Sequence, residues 1–185
     1  DIFAEDKAGK RDTLKALQGE AKKAGLWTPH LPKELGGRAL GPMGMCALFR
    51  EMGRSPVGAK VFHCDAPDQG NMDLLVQYAS PVQKEKFLGP LVRGEVTSAF
   101  SMTEPAPGAG ADPSNLKTSA KRVPGGWEIN GHKWYSTGAR NASFLVLMAR
   151  TSDDPKRGAS LFVLDKKTPG VTHVRDVPVM AADVL

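Results

Sequence analysis

The stretch Phe100-Ser-Met-Thr-Glu-Pro-Ala-Pro-Gly-Ala-Gly-Ala-Asp112 decides how this chain is read. Its alternation predicts a half-buried strand running into a turn rich in proline and glycine. Val96, Ser98, Phe100 and Met102 share one face of the strand, and Thr97, Ala99 and Ser101 share the other. Pro105, Pro107, Gly108 and Gly110 stop the ladder and are expected to leave backbone amides free. Free amides in a turn make a concavity suited to an anionic or hydrogen-bonding ligand. Thr103, at the strand end, can offer the same ligand a donor and an acceptor. On spacing alone, a tight loop without a ligand is the simpler reading.

The chain changes character near Glu95. Upstream, the apolar residues have helical period. Leu14, Leu17, Ala21 and Ala24 define one face of a first helix, which Gly25-Leu-Trp-Thr-Pro29 ends. Pro42 opens a second helix with Met45, Leu48, Phe49 and Met52 as its stripe. Asn71 is placed to cap a third, with Met72, Leu75, Val76 and Ala79 as its face. Ser80-Pro-Val-Gln83 reads as a capping box opening a helix that carries Phe87, Leu88 and Leu91. These stripes are read as core.

Downstream, the period becomes two. Residues 116–122 alternate, Val123-Pro-Gly-Gly126 turns the chain, and 127–129 returns. Asn130-Gly131 is the strongest short hairpin signal, with a strand over 132–136 expected after it. Phe144-Leu-Val-Leu-Met-Ala149 reads as a strand buried on both faces, 151–158 as a polar loop, and 159–164 and 171–175 as two more strands. Helices followed by strands, without alternation, predict an α+β protein: an all-helical domain over 1–94 and an antiparallel, barrel-like β-domain over 95–185.

The bulk composition narrows the function classes. The chain has 185 residues, 41% of them hydrophobic, enough for a sizeable core. Its formal net charge of +5 comes from lysines and arginines scattered among acidic residues, which argues against a nucleic-acid footprint. There is no apolar run of membrane-spanning length. Cys46 and Cys64 lack disulfide-framework or metal-ligand spacing and read as small buried hydrophobes, which fits a reducing compartment. His30, His63, His132 and His173 are scattered without ligand spacing, so no metal is expected.

Met102-Thr-Glu-Pro105 followed by Gly108-Ala-Gly-Ala-Asp112 resembles a signature of the acyl-CoA dehydrogenase family. Its second half, Trp-(Ile or Tyr)-(Thr or Ser) after Asn-Gly, resembles Asn130-Gly-His-Lys-Trp-Tyr-Ser136 here. Leu31-Pro-Lys-Glu-Leu-Gly-Gly37 and Pro67-Asp-Gln-Gly-Asn-Met72 resemble segments of the family's helical half. The resemblance implies FAD as cofactor, an acyl-CoA of medium to long chain as substrate, and a place in fatty acid β-oxidation. It also implies electron-transfer flavoprotein as acceptor and a homodimer or homotetramer in the bacterial cytoplasm, mitochondrial matrix or peroxisome. By the same resemblance Phe100, Met102, Thr103, Gly110, Ala111, Trp134, Tyr135 and Ser136 contact the flavin, with Thr103 on its redox-active edge and Trp134 over the ring. Ala111 stands where the family has serine, so only its amide is expected to serve flavin and substrate.

The family's catalytic glutamate lies in a later helical domain. The resemblance therefore places the base beyond Leu185, the last residue of the sequence. No residue of this chain is assigned as the base, and the chain alone is expected to be inactive. Two other readings keep the flavin region. One is a flavin oxidase or monooxygenase of the same fold, and the other a non-catalytic flavin- or acyl-CoA-binding module.

Overall fold

A computed structural model describes residues 7–154 and 158–178. The chain divides into two compact units between Tyr78 and Ala79. The first carries α1 (Lys7–Lys23), α2 (Pro42–Met52), α3 (Gly58–Val61) and α4 (Asp68–Tyr78). Pro42 occupies the first turn of α2, where its missing N–H costs nothing. Met45 and Met52 of α2 are buried with Cys64, and Leu40, Leu48 and Phe62 close around them. Leu31, Met72 and Leu75 are fully buried. In the 31–37 segment, Gly36 takes φ +84°, and a Cβ on Gly37 would lie 2.0 Å from the Leu31 carbonyl oxygen. Both glycines are therefore required by backbone geometry.

Several expectations for this unit need correction. Asn71 does not cap α4. The helix already begins at Asp68, after Pro67 has preset the backbone, and the Asn71 amide donates to Pro67 O within the first turn. Leu17 and Phe49, expected in the core, are 44% and 37% exposed. Cys46 is exposed, because it lies off the face of α2 that carries Met45 and Met52. Cys64 is buried as expected.

The second unit opens with the predicted capping box. Ser80 Oγ accepts from the Gln83 amide at 3.3 Å, and Gln83 Oε1 accepts from the Ser80 amide at 2.9 Å. The helical segment it starts comprises α5 (Pro81–Gln83), a π turn at Lys84–Leu88 and α6 (Gly89–Arg93). Pro90 cannot donate to the carbonyl four residues back, and the widened turn precedes it. Phe87, Leu88 and Leu91 are buried, and the Phe87 ring packs 5.1 Å from that of Phe144 in the sheet. This contact is why the 81–93 helix belongs with the strands.

The strands are β1 (Ser98–Ser101), β2 (Ser119–Val123), β3 (Gly126–Asn130), β4 (Phe144–Arg150) and β5 (Ala159–Asp165). The α+β organisation is as the sequence implied, and the sheet is mixed. β4 is central. β5 pairs antiparallel along its whole length, from Phe144↔Asp165 to Arg150↔Ala159. β1 runs parallel to β4 from Ser98↔Phe144 to Ser101↔Leu147, and β2 meets β4 in parallel at Ser119↔Arg150. Because β5 takes one edge of β4, β1 and β2 follow each other along the other edge. The 102–118 segment is the excursion between them.

The local readings fare unevenly here. β1 is not half-buried: Ser98, Ala99 and Ser101 are all buried, and only Phe100 is partly exposed, since small residues let both faces pack. The β2–β3 hairpin turns at Pro124-Gly125, with Gly125 at φ +86°. Asn130-Gly131 is not a hairpin turn and 132–136 is not a strand. Tertiary contacts of Gly131, Lys133 and Trp134 claim that backbone, and Tyr135 at φ +51° is incompatible with a pleated strand. Residues 171–175 find no partner strand. Val171 packs instead against the cluster of Ala99, Ala142 and Leu145, and Val174 is 72% exposed.

Candidate functional site

The two signature segments converge in the second unit. Thr103 lies just beyond the end of β1, and Trp134 just beyond the end of β3. The Trp134 amide donates to the Thr103 carbonyl at 3.1 Å. The Trp134 and Tyr135 rings lie 4.8 Å apart, tilted by 48°. Tyr135 is 53% exposed and Trp134 half-buried. Phe100, Met102, Thr103, Gly110 and Ser136 are also partly exposed, and Ala111 is exposed. The Thr103 hydroxyl and the Ala111 amide have no hydrogen-bond partner among the described residues.

The loop between the strands is not a ring of free amides, contrary to expectation. Gly108 N–H donates to Pro105 O, Asp112 N–H to Ala109 O, and Glu104 N–H to Gly110 O. Three further amides of the segment converge on the Glu104 carboxylate, which is only 2% exposed. Oε2 accepts from the amides of Ala109 at 3.2 Å and Lys117 at 2.8 Å, and Oε1 from that of Thr118 at 2.8 Å. Lys133 Nζ donates to Oε1 at 2.9 Å and to the Met102 carbonyl at 2.8 Å. The anion this loop cradles is the protein's own.

Two glycines make that packing possible. A Cβ on Gly108 would lie 2.6 Å from Glu104 Oε2, and one on Gly131 would lie 2.2 Å from Thr118 Oγ1. Gly110 differs: a Cβ there meets nothing within 4 Å, but its φ of +57° favours glycine.

The electrostatics follow from this geometry. Burial by itself would raise the pKa of Glu104. The hydrogen bonds from Thr118, Lys133 and Lys117 outweigh it and hold the carboxyl at about 2. Burial lowers Lys133, and the facing carboxylate works against that. Asp112 accepts from the Ser114 amide at 2.9 Å, which lowers it as well. Arg150 fixes the far end of the loop, donating from Nε to Leu116 O at 3.0 Å and from Nη2 to Ser114 O at 2.8 Å.

Neither Lys133 nor Arg150 stands out in the sequence. The signal for Lys133 is its position next to Trp134 in the second motif. Its partner Glu104 reads, on sequence, as a turn residue. The catalytic base is a separate matter, since it is expected beyond Leu185, and Leu185 itself lies outside the described residues. Among the described residues no cluster of histidine, cysteine, aspartate or glutamate side chains could hold a metal ion. No described helix is long and apolar enough to cross a membrane.

The two signature segments thus meet at Thr103 and Trp134 in a unit built on a mixed sheet, and comparison with known proteins places the chain. The family model described as acyl-CoA dehydrogenase, N-terminal domain, matches residues 3–95, and that for the middle domain matches 99–184. The chain belongs to the acyl-CoA dehydrogenase family.

It is 36% identical over 179 residues to the mouse protein named acyl-CoA dehydrogenase family member 11, covering 94% of this chain and 22% of that one. A Mycobacterium abscessus structure described as an acyl-CoA dehydrogenase superposes with a TM-score of 0.84 at 39% identity, covering 90% of this chain and 42% of that one. The FAD complex of PigA superposes with a TM-score of 0.61 at 26% identity, covering 85% and 41%. The chain thus spans less than half the length of each of these proteins.

Proposed function

We propose that this chain forms the helical and middle β-domains of an FAD-dependent acyl-CoA dehydrogenase acting on a medium- to long-chain acyl-CoA thioester. The observation that carries the reading is the hydrogen bond from Trp134 N–H to Thr103 O. It brings the two signature segments into one wall, with an unpartnered hydroxyl, an unpartnered amide and a partly exposed aromatic pair beside it. That donor set suits a planar ring bearing polar edge atoms. Bound FAD supplies the hydride acceptor for α,β-dehydrogenation. The chain's own residues bind and orient: the Thr103 hydroxyl meets the ring edge, the Trp134–Tyr135 pair excludes water, and the Ala111 N–H serves the thioester region. The FAD complex of PigA, a structural neighbour, supports the cofactor.

Neither carboxylate of the signature suits proton abstraction. Glu104 is saturated with donors at about 2, far from the range in which a general base works best. Asp112 is engaged by Ser114 and Asn115. The base is therefore proposed to come from a segment of the complete protein beyond Leu185, as the family resemblance implies. Electron-transfer flavoprotein is the proposed acceptor.

The test is anaerobic titration of the complete, FAD-loaded protein with acyl-CoAs of increasing length. Bleaching of the visible flavin band by medium or long chains, followed by slow reoxidation in air, is expected. No bleaching by any acyl-CoA would remove the substrate assignment, and fast reoxidation would turn the reading to an oxidase.

A further inference from the structure

We propose that Lys133 and Glu104 are positioning residues that together set where the Thr103 hydroxyl and the Trp134–Tyr135 pair stand relative to the flavin. This role rests on the flavin reading above and extends it to two side chains that touch no ligand themselves.

The geometry is specific. Lys133 Nζ bridges the Met102 carbonyl and Glu104 Oε1, the two residues flanking Thr103. Its own backbone adjoins Trp134, whose amide holds the Thr103 carbonyl. Thr103 is thus gripped on both sides by one lysine and in the middle by the next residue. Glu104 completes the grip from below, gathering the amides of Ala109, Lys117 and Thr118. The ammonium and carboxylate side chains are 8% and 2% exposed. A buried pair of this kind is a poor source of net stability, since desolvation cancels much of its attraction. It is, however, directional, and breaking it leaves a buried charge.

The surrounding backbone has no regular ladder to hold it. Residues 102–118 contain only a bridge at Glu104↔Gly110 and a short 3₁₀ turn at Pro113–Asn115, and 131–136 has neither helix nor strand. Tyr135 sits at φ +51°, a conformation that neighbouring contacts must enforce. The clamp at Lys133 and the Trp134 N–H to Thr103 O bond are the contacts immediately before it in the chain.

The decisive comparison is between the single variant Lys133→Met and the double variant Glu104→Gln/Lys133→Met in the complete protein. The single variant leaves a buried carboxylate without its ammonium and has a lowered thermal midpoint. The double variant removes both charges, so it leaves no buried ion unpaired; its midpoint stays below wild type, because the glutamine NH2 cannot accept the backbone N–H bonds that one carboxylate oxygen now takes.

The double variant should also exchange the Trp134 amide hydrogen at least about tenfold faster in the FAD-free protein. With FAD bound, it should show a displaced visible flavin band and flavin reduction slowed about 10- to 100-fold at saturating substrate, with KM little changed. A double variant with wild-type midpoint, wild-type Trp134 exchange and an undisplaced flavin band would overturn the proposal. It would show the pair to be structural only. A double variant that does not fold would also overturn it, since the charges would then be needed for folding itself. Wild-type protein that binds no FAD would instead overturn the flavin reading, and this inference with it.

Discussion

Glu104 shows how one residue can carry the consequences of a whole loop. Its carboxylate has its full stabilising effect above its unfolded value of about 4.3 and loses it as pH falls toward about 2. The sign follows from the lowered folded value: the unfolded chain binds the proton more readily, so acid favours unfolding. The displacement corresponds to roughly 3 kcal/mol. Glu104→Gln should therefore lose about 3–5 kcal/mol at neutral pH, because Lys133 stays buried without its partner. The variant's stability should also change less than wild type's between pH 5 and pH 2. Urea unfolding across that range checks both, and an unchanged acid limb would show that Glu104 does not titrate in this way.

Two glycines separate by the same kind of argument. Gly131→Ala drives a methyl into Thr118, and overpacking of this kind costs about 1–3 kcal/mol. Gly126→Ala has open space and an ordinary φ, so its effect should stay within about 0.5 kcal/mol. Denaturant midpoints of the two variants, measured side by side, test the contrast.

At the scale of elements, the 81–93 helix depends on both its start and its buried face. Ser80→Ala removes half of the capping box and should cost about 1 kcal/mol, read as a shift in denaturant midpoint without a change in slope. Phe87→Ala removes the ring packed on Phe144 and should cost about 3–5 kcal/mol. If Phe87→Ala were no worse than Ser80→Ala, the helix would not be held by the sheet.

Elements also show where local patterns mislead. Asn130-Gly131 has the composition of a tight hairpin and makes none, whereas the turn expected at Val123-Pro-Gly-Gly126 forms at Pro124-Gly125. The difference arises because Gly131 is needed for close approach to Thr118, not for a turn. Residues 171–175 have the right alternation for a strand but no partner edge.

For the whole molecule, the expectation concerns what this stretch can do by itself. The two signature carboxylates are occupied, and the chain spans less than half of its relatives. The 185-residue chain, saturated with FAD and assayed with several acyl-CoA lengths and an artificial acceptor, should therefore give no measurable dehydrogenation. The complete protein should. A missing general base alone accounts for a loss of about 10²–10⁴-fold. Turnover by the chain alone would mean that a carboxylate within it reaches the substrate after all, and that no base beyond Leu185 is required.

The family, the order of helices before strands, the capping box at Ser80 and the two motifs around Met102 and Trp134 are legible in the amino-acid chain alone. Each of these is written in residues close together in the chain, where periodicity, caps and short signatures operate. The fold, by contrast, is what aims the amides of Ala109, Lys117 and Thr118 at Glu104, carries Lys133 from one motif to the other, and bonds Trp134 to Thr103. Apart from that of Ala109, these contacts join residues 13 to 31 positions apart, with Lys117 and Glu104 at the near end and Lys133 and Met102 at the far end. No local pattern encodes a partner at that distance, because the backbone's hydrogen bonds go wherever the folded chain brings a buried acceptor.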